Sequence, residues 1–217
     1  MLEAGRSFRG AGLEAGAWAV ARLANAPLAD LDAELLRVRG RVLSVGCGFG
    51  VVERYAALRN GRITINGFEL EKARVDAAAA TQAAAPRVTV QQADVTQLHV
   101  QGAFDAALAI DVFHHLHPGG QHRLASALAK LVRPGGEILV KDIATTPRWQ
   151  HAFNALHDRL AVGESTHCRC PRAMSELLAD AGLRIDGWRR LGRLSPYPHY
   201  LIRAQVPDRS RPAADKP

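Results

Sequence analysis

Gly46-Cys47-Gly48-Phe49-Gly50 sets three glycines at alternate positions, between the apolar run Val42-Leu43-Ser44-Val45 and a segment with helical patterning. Glycines at a strand-to-helix turn let the backbone pass close to a ligand. The first N–H groups of the helix have no partner inside it and can meet a carboxylate or phosphate. Glu69 ends the next apolar run, where an acid can accept the hydroxyls of a ribose. Asp94 follows the third run; its plain alternative is an Asp in a turn. His114 and His115 follow the fourth run, and an imidazole that titrates near pH ~6.5 suits general base work. The same stretch holds Asp111 and His117, and His167-Cys168-Arg169-Cys170 forms a second cluster, but neither has the paired spacing of a structural zinc site, and no metal is expected.

These residues recur at the ends of alternating strands and helices. Apolar runs at 42–45, 63–68, 88–90, 104–110 and 137–140 read as five strands. Helical patterns cover 51–59, 71–85 (stopped by Pro86), and Leu124 to Leu131, which Pro134-Gly135-Gly136 closes. The run Phe104 to Ile110 is nearly continuous in apolar character, as in a strand buried on both faces. The alternation predicts an α/β fold with a parallel sheet and right-handed crossovers. Beyond residue 145, Trp149, Phe153, Leu156 and Leu160 mark an amphipathic helix. Pro171 to Ala181 marks another, left by Gly182. Two strands near 183–191 and 198–205 flank Ser195-Pro196-Tyr197-Pro198 and predict an antiparallel hairpin. The expected organisation is a helical arm over 1–40 (with segments around Leu13–Leu23 and Leu28–Leu36), a catalytic domain over 41–205, and a disordered tail over 206–217.

The glycine spacing separates two families. A dinucleotide fingerprint would need a small residue at position 51, which is Val51. The G-x-G-x-G loop, Glu69, Asp94, the stretch Phe104 to Leu116 and Leu131-Val132-Arg133-Pro134-Gly135-Gly136 instead resemble, in order, the motifs of class I S-adenosylmethionine-dependent methyltransferases. The resemblance covers residues 41 to 142. It implies a Rossmann-like doubly wound sheet of seven strands, mostly parallel with an antiparallel last strand. It implies S-adenosyl-L-methionine as cofactor, bound by Gly46, Cys47, Gly48, Gly50, Glu69, Leu70, Asp94, Val95 and Asp111. Asp94 would accept from the adenine amino group, and His114 or His115 would be the catalytic base. The family carries an acid two residues before the first glycine, near the amino-acid end of the cofactor; here that residue is Ser44. Its loss implies weaker binding, and restoring the acid by Ser44→Asp is expected not to weaken it.

Composition bounds the partners. At 217 residues, 47% hydrophobic and 23% charged, the chain suits one soluble domain. No apolar run approaches the ~18 residues of a membrane span, and no signal-peptide pattern opens the chain. Three cysteines argue against a disulfide framework, so a cytoplasmic protein is expected. Residues 145–217 hold 12 of the 28 Lys/Arg against 7 Asp/Glu, so much of the net charge of +7 is C-terminal, without a contiguous basic run. A nucleic-acid partner is therefore not expected. Arg148, Arg159, Arg169, Arg172 and His157 could meet an anionic acceptor or an acyl-carrier phosphate. Tyr197, His199 and Tyr200 are further acceptor-site candidates. The His-His-Leu element, without an Asn/Asp-Pro-Pro-Tyr motif, resembles enzymes acting on small molecules or lipids at oxygen or carbon. An RNA or protein acceptor, and an inactive accessory protein resting on Ser44, stay open as alternatives.

Overall fold

A computed structural model describes residues 28–80, 85–147, 166–192, 195 and 197–208. The expected helical segments around Leu13–Leu23 and Trp149–Leu160 lie outside them, as do Arg148, His157, Arg159, Pro196 and most of the tail. The described chain runs α1 (Leu28–Leu35), β1 (Gly40–Val45), α2 (Val51–Arg59), β2 (Ile63–Glu69), α3 (Lys72–Ala79), β3 (Val88–Gln92), β4 (Phe104–Ile110), α4 (Pro118–Leu131), β5 (Val132–Ile143), α5 (Pro171–Asp180), β6 (Arg184–Arg190) and β7 (His199–Gln205). Short 3-10 turns cover Val95–Gln97 and Phe113–His115.

The seven strands form one sheet in the order β3-β2-β1-β4-β5-β7-β6. Neighbours among β1 to β5 are parallel, while β7 runs antiparallel to both β5 and β6. The fold class and the last hairpin are as the sequence predicts. Side-chain alternation along the buried strands splits the core into two layers. On one face Ala107 and Ala109 of β4 pack with Leu124, Leu128 and Leu131 of α4 and with Met174, Leu177 and Leu178 of α5. On the other face Ala106, Leu108 and Ile110 pack with Leu31 and Leu35 of α1 and Val52, Tyr55 and Ala56 of α2. Tyr55 Oη donates to Asp32 Oδ1 at 2.6 Å and fastens α1 to α2.

Several boundaries shift from the sequence reading, among them the starts of β1, α4 and β5, and the start of β5 changes the topology locally. Pro134-Gly135-Gly136 was expected to close α4 ahead of a strand at 137, but β5 begins at Val132. Val132 pairs with Phe104, and the next pair is Ala106 with Glu137, so residues 133–136 bulge out of the ladder. A proline lacks the N–H for an inner ladder position and is tolerated at such a bulge. Asp105, opposite the bulge, accepts from Arg133 Nε and from the Arg41 N–H, both at 2.7 Å.

Those two contacts, the Arg133 bond first, hold the Asp105 carboxyl below its ordinary value. A depressed carboxylate contributes stability above its unfolded pKa and loses it as the folded group is protonated. Asp105→Asn should therefore lower Tm at pH 7 by a few degrees, at about 2–4 °C per kcal/mol for a chain of this size. The gap from wild type should narrow as pH falls below the ordinary value of 3.8. Thermal melts of both proteins at pH 7 and pH 3 check this; an equal gap at both would refute it.

Candidate functional site

Strand pairing brings the sequence candidates to one edge of the sheet. Val45 pairs with Phe68 of β2 and Ala109 of β4, Glu69 with Gln92, and Ile110 with Lys141. The residues at or just past these pairs therefore line up along the carboxyl ends of β3, β2, β1, β4 and β5. They are Asp94, Glu69, the loop 46–50, Asp111 and Asp142. The chain order reverses between β1 and β4, the switch point at which open α/β sheets bind ligands.

The glycine loop is held in a shape that side chains resist. Gly46, Gly48 and Gly50 have φ of 58°, 55° and 73°, and left-handed backbone favours glycine. A Cβ on Gly46 would lie 2.9 Å from Val112 Cγ2. Glu69 clasps the loop: one oxygen accepts from Gly48 N–H at 2.8 Å, the other from Leu70 N–H at 2.8 Å and Glu71 N–H at 3.1 Å. Cys47 is buried against Gly67 of β2, where a Cβ would come within 2.6 Å of its sulfur. Burial, then the charges of Glu53 and Glu69, push the Cys47 thiol far up, so it stays protonated and is no nucleophile. Arg54, itself buried, donates to Phe49 O at 3.0 Å and Ala78 O at 2.6 Å, tying the end of the loop to α3.

The outer candidates divide by burial. Asp94 caps the turn at Val95–Gln97, and its Oδ1 accepts from Thr96 N at 2.9 Å and Thr96 Oγ1 at 2.7 Å. The turn reading of Asp94 is thus realised, while Oδ2 carries neither bond. Val95 is a core residue, whereas Leu70 is 63% exposed beside Glu69.

At the β4 end, Asp111 takes a left-handed φ of 57° and accepts from Lys141 Nζ at 2.5 Å. His114 is buried, and its Nδ1 lies against Asp142 Oδ1. Asp142 also accepts from the N–H groups of His114, at 3.2 Å, and Ile143, at 2.8 Å. An ionised carboxylate only accepts, so Asp142 selects the tautomer with the proton on Nδ1 and makes Nε2 the basic atom. His115 is exposed, and its ring centroid lies 4.1 Å from that of His114. The segment after β5 docks here: His167 N–H donates to His114 O at 2.7 Å, and Gln121 Nε2 donates to Phe113 O and His167 O, both at 2.8 Å. Asp111, His114 and Asp142 also offer three ligand atoms within 4.8 Å of one another. The cation on Asp111 is Lys141, and we read the group as a hydrogen-bonded network.

Several acceptor candidates have other work. Arg169 Nε donates to Gln121 Oε1, and Arg172 pairs with Glu176 on its own helix. Tyr197, His199 and Tyr200 are all buried. Burial, and then Asp142, push the Tyr200 phenol well up. Asp142, Lys141, Gln121 and Glu53 were missed as site residues. Lys141-Asp142 inside the apolar run 138–143 was the available signal, since charged residues are rarely buried unless paired.

Comparison with known proteins agrees with this geometry. A family described as "Methyltransferase domain" matches residues 19–186. A ubiquinone biosynthesis O-methyltransferase of Dechloromonas aromatica (strain RCB) is 30% identical over 112 residues, 50% of this chain and 46% of that protein; the chain thus matches only about half of that relative's length. An O-methyltransferase family protein from Burkholderia thailandensis superimposes with a TM-score of 0.74 at 21% identity, over 90% of this chain and 60% of that one. A geranyl diphosphate C-methyltransferase from Streptomyces coelicolor A3(2), solved with S-adenosyl-L-homocysteine, gives a TM-score of 0.66 at 16% identity over 82% and 78%. The chain belongs to the methyltransferase-domain family, as a class I S-adenosylmethionine-dependent methyltransferase. Among the described residues no helix is long and apolar enough to cross a membrane.

The Gly67–Cys47 contact makes the loop testable. Gly67→Ala should destabilise the protein by about 1–3 kcal/mol, as overpacking of a tight site does. Adding Cys47→Ala should recover most of that loss, because the two side chains would compete for one space. Denaturant melts of the single and double variants check it; simple additivity would refute the contact.

Proposed function

We propose that this protein transfers the methyl group of S-adenosyl-L-methionine to oxygen or carbon of a small apolar or aromatic acceptor, with His114 as the general base. The observation that carries this reading is the buried His114–Asp142 pair, one strand away from a glycine loop suited to the cofactor. The bound cofactor supplies a methyl group already activated on a sulfonium. What the chain must add is alignment, which can be worth ~7–11 kcal/mol.

The residues present fit that cofactor. The N–H groups of the first turn of α2 suit its carboxylate, while those of Gly46, Cys47, Gly48 and Gly50 are bonded within the protein and hold the loop in shape. Glu69 is held in place by three backbone N–H groups, with Oε2 the less engaged oxygen and the natural acceptor for ribose hydroxyls. Asp94 Oδ2 would accept from the adenine amino group, and the exposed Leu70 offers the ring an apolar face. Gly46, Cys47, Gly50 and Val95 shape this cradle through the backbone and packing, and Asp111 closes its β4 side. A hydroxyl acceptor, which the name of the Dechloromonas relative supports, needs its proton removed. His114 takes that proton at Nε2, and Asp142 holds the ring and stabilises the imidazolium that forms, the logic of an oriented base. His115, exposed and with its ring tilted against that of His114, is the side chain an acceptor meets first.

Methyl-labelled S-adenosylmethionine, offered with the small-molecule fraction of a cell extract and a panel of phenols, should label an organic-soluble product. Label found only in protein or nucleic acid would contradict the acceptor class. With an acceptor in hand, His114→Ala and Asp142→Asn should each cut turnover by ~10² or more, with His115→Ala milder. Cofactor affinity should hold in all three. Unchanged turnover in the first two would remove the base role.

A further inference from the structure

The acid missing at position 44 has a counterpart in space. Ser44, next to last in β1, is buried, and its Oγ donates to Glu53 Oε1 at 2.6 Å. Glu53 belongs to α2, the helix that follows the glycine loop, and is 2% exposed in a stretch where Val51 to Ala57 are all buried. We propose that Glu53 is a positioning residue for the cofactor: its carboxylate, set behind the glycine loop by Ser44, supplies the negative charge that favours the cationic amino-acid end. The proposal rests on the cofactor reading above and deepens it.

Three observations support it. A buried carboxylate costs several kcal/mol unless it is compensated. This one has the Ser44 hydroxyl, the N-terminal dipole of a helix whose third residue it is, and the adjacent buried Arg54. Glu53 also acts on the loop, since its charge helps to push up the Cys47 thiol between the first two glycines. Finally, the N-terminus of α2, where the loop ends, alone makes an anion site. Such a site welcomes the cofactor's carboxylate but opposes its ammonium and sulfonium. A carboxylate behind the loop offsets that opposition without touching the ligand.

The same geometry reverses the expectation for Ser44→Asp. With Glu53 in place, a second buried carboxylate would meet the first, and the variant should lose stability rather than bind normally.

Calorimetric titration of wild type, Glu53→Gln and the charge-transposed Ser44→Asp/Glu53→Gln variant decides the matter. Three ligands are used: S-adenosylmethionine, S-adenosylhomocysteine, and 5′-methylthioadenosine, which lacks the amino-acid end. Glu53→Gln should weaken the first two by about tenfold or more and leave the third within about twofold. The transposed variant should recover most of the loss. A merely structural Ser44–Glu53 clamp predicts instead an equal fall for all three ligands, or none, and either result overturns the proposal. Should Glu53→Gln be too unstable to titrate, the transposed variant decides alone: folded but unable to bind S-adenosylmethionine, it overturns the proposal. Wild type that binds none of the three would overturn the cofactor reading itself, and this inference with it.

Discussion

Glu69 ties the end of β2 to the turn after β1 by accepting from the N–H groups of Gly48, Leu70 and Glu71. Much of the site depends on that clasp. The loop it holds needs positive φ at Gly46, Gly48 and Gly50, which side chains would resist at ~1 kcal/mol or more each. Arg54 grips the same loop from its far end through Phe49 O. Gly67 leaves the room into which Cys47 packs. The turn is thus fixed from below, from β2 and from α2 before any ligand arrives, which is how a backbone cradle avoids reorganising on binding.

Buried charge gathers at this edge of the sheet. Glu53 and Arg54 lie behind the glycine loop, Lys141 and Asp111 meet at the β4–β5 junction, and His114 and Asp142 meet next to them. Replacing such groups by apolar side chains often leaves a protein as stable or more so. Their presence in a cohesive apolar core is therefore better explained by chemistry at the site than by stability. The two arms differ in task. Behind the loop the charges would set the potential met by the cofactor, while at the β4–β5 junction they orient an imidazole.

Much of this was legible in the sequence. The apolar run Phe104–Ile110 matches its strand at both ends, because burial on both faces leaves it a single polar position, Asp105. Pro171 and Gly182 bracketed α5 because their backbone limits act locally. The start of β5 was not legible: Pro134-Gly135-Gly136 reads as a stop, and only pairing with β4 turns it into a bulge. Asp142 and Glu53 were missed for a related reason. Each acts through a partner far along the chain, 28 residues away for His114–Asp142 and 9 for Ser44–Glu53. Position 44 could be read only by itself in the sequence, whereas the strand-to-helix turn folds Glu53 back onto Ser44.

The loop 46–50 and the Glu69 clasp are proposed to form the cofactor cradle. Hydrogen–deuterium exchange of the protein, with and without saturating S-adenosylhomocysteine, tests it most directly. Bound ligand should slow exchange at the amides of Cys47 to Gly50 and of Leu70 and Glu71, with β6 unchanged. Exchange at the loop that is the same in both states, or protection confined to another part of the sheet, would contradict it.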